Sequence, residues 1–437
     1  MLTSMVLPIA SPGPRAEACG NLLLASVPVV ASLALTLPHG VLMPYRLVVV
    51  ALALLAVWSV ASGVRPTAQS TLKSVLLVAA TLGAFGALGW VRFHVASADD
   101  AGWVALLLIL AASAAVVGSG RRTAAWSILG WLVAGLISVL VLLWERLTGM
   151  ALPRTIPPDE SVTAEGNAHL SAGLFDNPNL LAYQCAVVLL LLPAAWAVLP
   201  RLWRLAVIPF GLALLAILVW TQGRLAVVAV LIGLALWSLR DKWGRVVLAA
   251  ATLGFAGASL LKLGFAERFW GEAANALVEF DQVGASSWVR AELARSGWWI
   301  VEQSNYLGIG PGGFEAWSVR ADNPFRYEQL NNAHSGPIEI MSEYGVIASA
   351  VVLVAVITVV IAGLRAARGQ PRWSADRTLA YAAMLLAGLW PLLSSTHSTW
   401  QRQPLAAAHV ATVVTLIAWT ERHRAGSPSE TRGEPPR

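Results

Sequence analysis

Three residues have the type and placement to do chemistry together. Arg224 follows Thr221-Gln222-Gly223 and opens an apolar run; Arg290 lies in a stretch that reads as a helix from about Ser287 to Gln303; His334 sits in Asn331-Asn332-Ala333-His334-Ser335, just ahead of another apolar run. A guanidinium is a fixed fork of donors that matches phosphate oxygens. An imidazole, titrating near ~6.5 when unperturbed, takes a proton from an attacking hydroxyl at neutral pH. Each residue also has a plainer reading. An arginine at the mouth of a span anchors lipid headgroups, and a lone histidine is more often structural than catalytic. His397, in Ser394-Ser395-Thr396-His397-Ser398 and close to Arg402, is the rival base; His94 and His169 are weaker, and His409 reads as packed among helices. Asn179, Asn332, Arg295, His397 and Arg402 make up the remaining substrate-binding candidates, although nothing local separates Arg295, Arg320 or Arg326 from solvated charges. No His/Cys/Asp/Glu spacing resembles a metal site, and no cofactor is implied.

These residues need a frame. Hydrophobic residues fill 57% of 437 positions and charged residues only 12%. A soluble chain carries roughly 25% charged residues, so composition excludes a large soluble core and points to an all-α polytopic membrane protein. Two cysteines, Cys19 and Cys185, are too few for a disulfide framework. A net charge of +6 is accounted for by cytoplasmic loops collecting Lys and Arg rather than by nucleic acid. Runs of about 20 apolar residues cross a bilayer. Twelve such runs are counted, at about 21–37, 41–62, 70–90, 101–119, 124–145, 179–199, 205–221, 224–239, 246–263, 338–363, 378–395 and 405–420. With the N-terminus in the cytoplasm, the inside segments hold 18 of the 30 basic residues, and an even span number puts both termini inside.

The chain then divides into a cytoplasmic N-terminus (1–20), nine spans (21–263) with an extracytoplasmic loop at 146–178, a large extracytoplasmic loop (264–337), three spans (338–420) and a disordered cytoplasmic tail (421–437). The large loop reads as a helical lid. Its run Gly308-Ile309-Gly310-Pro311-Gly312-Gly313 lacks the Lys-Ser/Thr of a phosphate-binding P-loop and no βαβ pattern surrounds it, so a tight turn at the membrane surface is the better reading.

In order and spacing the chain resembles the O-antigen ligase and polymerase superfamily of bacterial envelope glycosyltransferases. The resemblance rests on about twelve spans with both ends inside, on the large loop between spans nine and ten, and on Thr221–Arg224 opening a span. It also rests on Ala333-His334-Ser335 followed by Ser342-Glu343-Tyr344-Gly345-Val346, and on Phe175–Asn179 followed by Leu180-Leu181-Ala182. It covers about residues 170–350. Gly223 stands where the family's motif has a serine, and Gly336-Pro337 where a more apolar pair is common.

The resemblance implies a GT-C-like membrane fold in the bacterial inner membrane, with the active site facing the periplasm. The implied donor is a glycan on undecaprenyl diphosphate and the implied acceptor is lipid A–core. Arg224 and Arg290 would stabilise the leaving diphosphate, and His334 would be the general base of an inverting transfer without metal. A polymerase using a second lipid-linked glycan is the near alternative. A protein O-oligosaccharyltransferase would carry an extra C-terminal soluble part. A polysaccharide transporter would show two related halves and mid-membrane ionisable residues; no such repeat is visible.

Overall fold

The computed structural model describes residues 14–33, 43–64, 68–118, 120–150, 173–240, 286–327, 332–368, 374–395 and 400–426, Asp176 and Gln222 excepted, and a few positions between and beside these ranges. The expected ninth span at 246–263, the start of the lid and His397 lie outside the described residues.

Fourteen helices and no strand are found among the described residues. In chain order they are α1 (Pro14–Ser32), α2 (Pro44–Ala61), α3 (Gln69–Phe93), α4 (Ala98–Val117), α5 (Arg121–Thr148), α6 (Pro178–Val198) and α7 (Arg201–Trp220). There follow α8 (Arg224–Ser238), α9 (Ser286–Gln303), α10 (Gly313–Ser318), α11 (Gly336–Arg368), α12 (Ala375–Gly388), α13 (Trp390–Leu393) and α14 (Pro404–Gly426). Eight are long and apolar enough to cross a membrane: α2 to α7, α11 and α14. The protein is thus an all-helical, multi-pass membrane protein by length and composition. The run expected at 378–395 is broken at Leu389 into α12 and α13, and α8 is a shorter apolar helix.

The centre of the bundle is α6 and α14. The apolar windows of these two helices are 72% and 83% buried, against 11–44% for the other six. In lipid, burial of apolar surface gives little drive for helix association, so close approach of small residues and interhelical hydrogen bonds must supply it. Both are present. Ala182, Ala186, Ala194, Ala195, Ala406 and Ala408 are fully buried, and a Cβ on Gly130 of α5 would overlap the carbonyl of Ala25 on α1. Gln184 accepts from Ser138 Oγ at 2.6 Å and donates to Ser32 Oγ at 2.9 Å, tying α1, α5 and α6. The Trp131 indole donates to Thr412 Oγ1 at 2.8 Å, and Tyr183 meets His409 Nδ1 at 2.7 Å. Such bonds contribute about 0.6–2 kcal/mol each. His409 is packed among helices, as its apolar surroundings in the sequence suggest.

Polar contacts sort the helix ends into two sets. At one end Arg46 reaches Asp99 at 4.0 Å and lies over Trp103, Arg92 donates to the Ser304 carbonyl at 3.3 Å, and Arg402 pairs with Asp100 and Glu315. At the other, Glu421 accepts from the Ser70 and Thr71 amides at 2.8 and 2.9 Å, Arg121 faces Asp376 at 3.9 Å and Arg240 donates to Thr378 Oγ1 at 3.2 Å. The sets alternate along the chain as successive crossings require. Of the candidate site residues, Arg402 belongs to the first.

Candidate active site

Arg224 is the first residue of α8. Gly223 before it is a packing glycine: a Cβ there would meet that of Ala182 on α6 at 2.5 Å. That contact sets the mouth of α8 against the start of α6, where Asn177 caps the helix by accepting from the Asn179 amide at 2.8 Å. The glycine in place of the usual serine therefore follows from close packing and leaves Arg224 in position. Asn179 is half-buried at this mouth, and Arg224 is exposed.

Arg290 lies on α9, the lid helix, which spans the stretch expected from the sequence. Val289, Leu293, Ile300 and Val301 form its buried stripe. Gly297 belongs to the same face and packs so closely that an added Cβ would overlap Ile338 of α11. Arg290 lies seven residues before Gly297, two turns away on the same side of the helix, and is half-buried. It thus belongs to the side of α9 that faces the entrance to α11. Arg295, by contrast, is exposed and bonded to Glu292 at 2.5 Å, and Arg320 is bonded to Asp322.

His334 precedes α11 in a left-handed conformation, φ 46°. Non-glycine residues seldom adopt it, and such strain clusters at functional sites. The turn it belongs to is held from several sides. The Gly336 amide donates to the Ser394 carbonyl at 3.2 Å, Ser395 Oγ donates to Ser335 Oγ at 3.2 Å, and the Glu339 amide donates to the Ser335 carbonyl at 2.8 Å. A Cβ at Gly336 would meet Ser394 Cβ at 2.8 Å, so the glycine that departs from the family's pattern lets the histidine turn approach the loop after α13. Asn332 Oδ1 is buried without a hydrogen-bond partner among the described residues. α9 packs on α11, and α13, whose following residues bond the His334 turn, packs against α8, so α13 links the helix bearing Arg224 to the histidine turn.

The glycine run fixes the lid to this end. Gly345 interrupts α11 at φ 81°, ψ 173°, a conformation open only to glycine. The interruption frees backbone groups, and the lid satisfies them. The Ile309 and Gly310 amides donate to the Ser342 and Glu343 carbonyls at 3.1 and 2.8 Å, and the Val346 amide donates to the Tyr306 carbonyl at 3.0 Å. Gly308 and Gly310 have φ of 82° and 95°. A Cβ on Gly89 of α3 would overlap the Gly310 amide. The run is a tight turn, as expected, and it is interlocked with two helices.

One group of residues was missed in the sequence. Asp100, Glu315, Glu339 and Glu343 come from α4, α10 and α11 and gather around Arg402. Glu339 Oε2 accepts from the Trp400 amide at 2.9 Å and, more weakly, the Gln401 amide at 3.4 Å; Gln401 Nε2 lies 3.5 Å from Glu343 Oε2. Glu339 and Glu343 are each 4% exposed. The signal was legible: two glutamates at i, i+4 in the first turns of an apolar helix are ionisable groups where lipid would penalise them.

Residues 209–353, about a third of the chain, match the model described as O-Antigen ligase. Arg224, Arg290 and His334 all fall inside this stretch; Asp100 and Arg402 fall outside it. Comparison with curated proteins gives no match.

Proposed function

On the strength of that O-antigen ligase family segment, we propose that this protein is a membrane glycosyltransferase, an O-antigen ligase, acting at the periplasmic face of the inner membrane. It moves a glycan from undecaprenyl diphosphate to a hydroxyl of lipid A–core. The observation that carries the reading is that the segment matching the O-antigen ligase model contains Arg224, Arg290 and His334, with α9 packed on α11 and α13 linking α8 to the histidine turn.

The acceptor oxygen attacks C1 of the first sugar, and the C1–O bond to the diphosphate breaks on the opposite face, so the anomeric centre inverts. His334 takes the hydroxyl proton. Arg224 and Arg290 face the negative charge that develops on the leaving diphosphate. Donors placed for developing charge contribute about 10²–10³-fold each, and a positioned base about 10²–10⁴-fold. The anchored lid excludes water, which would otherwise compete as acceptor. Asn179 and Asn332 are the further glycan or diphosphate contacts in this reading, with His397 beyond the described residues; Arg295, bonded to Glu292, has no part in it.

The bundle supplies a place for the donor's lipid tail. An apolar groove of about 560 Å³ runs between α3, α11 and α14, from Ser70 and Glu421 at one end to Ile340 and Trp400 below the site.

Product identity tests the proposal. Purified protein is given lipid-linked O-antigen with and without lipid A–core. Glycan appearing on lipid A–core only when both are present is the expected result. Longer lipid-linked chains without lipid A–core would make the protein a polymerase.

A further inference from the structure

We propose that Arg402 is a positioning residue, the ionic latch that seats the lid and the His334 turn on the bundle, and not a ligand of the substrate phosphates. This deepens the reading of His334 as the base and rests on it for its kinetic consequence alone.

The geometry gives Arg402 to protein carboxylates. Its Nε and Nη2 donate to Asp100 at the start of α4, the second at 2.8 Å, and its Nη1 donates to Glu315 in the first turn of α10, also at 2.8 Å. Glu343 and Glu339 of α11 lie close by. Burial works against the cation, and these carboxylates outweigh it, so the guanidinium is held more firmly protonated than usual. Two directly paired acids already exceed its single charge. A diphosphate brought to the same fork would face that surplus at close range, whereas Arg224 and Arg290 lie on other elements.

The latch joins every part that must hold still. Asp100 lies against Gly312, where any Cβ would overlap its carboxylate, and the Ser97 amide donates to the Pro311 carbonyl at 2.8 Å. So α4 carries the glycine run of the lid, and Arg402 adds α10. The residues just before Arg402 hold Glu339 on α11 through the Trp400 amide. The Ser394 carbonyl, just after α13, receives the Gly336 amide two residues after His334. The Arg402 side chain therefore ties the lid to α4, and the backbone two residues before it holds Glu339, one turn into the helix that follows His334.

The test uses the full-length protein in nanodiscs. Arg402→Lys keeps a charge but loses the fork; Arg402→Met removes both; Asp100→Asn loosens one arm. Hydrogen exchange of the backbone over 309–318 is read first, because it needs no activity. Arg402→Met is expected to speed exchange by roughly tenfold or more, as losing one partner of a half-buried pair opens the segment locally, with Arg402→Lys and Asp100→Asn between it and wild type. In the transfer assay kcat should fall in the same order while the KM for the donor stays near that of wild type. Unchanged exchange in Arg402→Met would overturn the latch. A rise in donor KM with kcat unchanged would overturn it too, making Arg402 a phosphate ligand. If instead exchange quickens as expected but His334→Ala is fully active, the latch stands and the assignment of the base fails.

Discussion

At the scale of single residues the account is carried by charge and by proton transfer. Arg290→Ala and Arg224→Ala should each lower the rate of transfer by about 10²-fold or more while leaving the protein in the membrane. Arg290→Lys should recover only part of that loss, because an ammonium lacks the planar fork. Steady-state rates of the purified variants check both. His334→Ala should lose about 10²–10⁴-fold, and His334→Gln should bind donor but transfer slowly; donor binding followed separately from product formation distinguishes the two. Arg224 and His334 stand out in the sequence because their types are uncommon at the mouths of apolar spans, and Arg290 because it lies on the stretch that reads as the lid helix. Asp100, Glu339 and Glu343 were not read as a group, since each sits in a different sequence neighbourhood from Arg402 and only the folded chain brings α4, α11 and the final loop together.

At the scale of elements the glycines decide. Gly345 holds a backbone conformation that side chains do not adopt, and Gly308 packs where a Cβ would meet the Glu343 carbonyl at 2.5 Å. Gly345→Ala and Gly308→Ala should each destabilise the lid anchor by about 1–3 kcal/mol or more. Thermal unfolding in detergent should show lower transitions for both, with faster exchange at 306–313. Gly336→Leu should separate the histidine turn from Ser394 and lower kcat without removing any catalytic group; transfer kinetics test this. The helices were read well from the sequence because apolar length is a strong signal: α3, α5, α6 and α9 begin and end within a few residues of expectation. The glycine run was recognised as a turn. Its partner could not be, because the backbone groups it satisfies exist only when α11 breaks at Gly345.

At the scale of the whole molecule, the bundle has two ends that differ in their polar contacts. Its two sets of helix-end contacts alternate along the chain, and with the orientation expected from the basic residues, cysteines placed at Ala316 and Arg122 should label from opposite sides of intact vesicles, the first from the periplasmic side. A chelator should leave transfer by the purified enzyme unchanged, since the proposed chemistry needs only Arg and His side chains; inhibition reversed by one divalent ion would remove that mechanism. The central claim is that His334 activates the acceptor in a site completed by the two arginines. The most direct measurement compares wild type and His334→Ala in one reconstituted reaction containing lipid-linked O-antigen and lipid A–core, followed by the amount of glycan on lipid A–core. The account predicts product with wild type and almost none with His334→Ala, donor binding being retained in both. Equal product from the two proteins would contradict it.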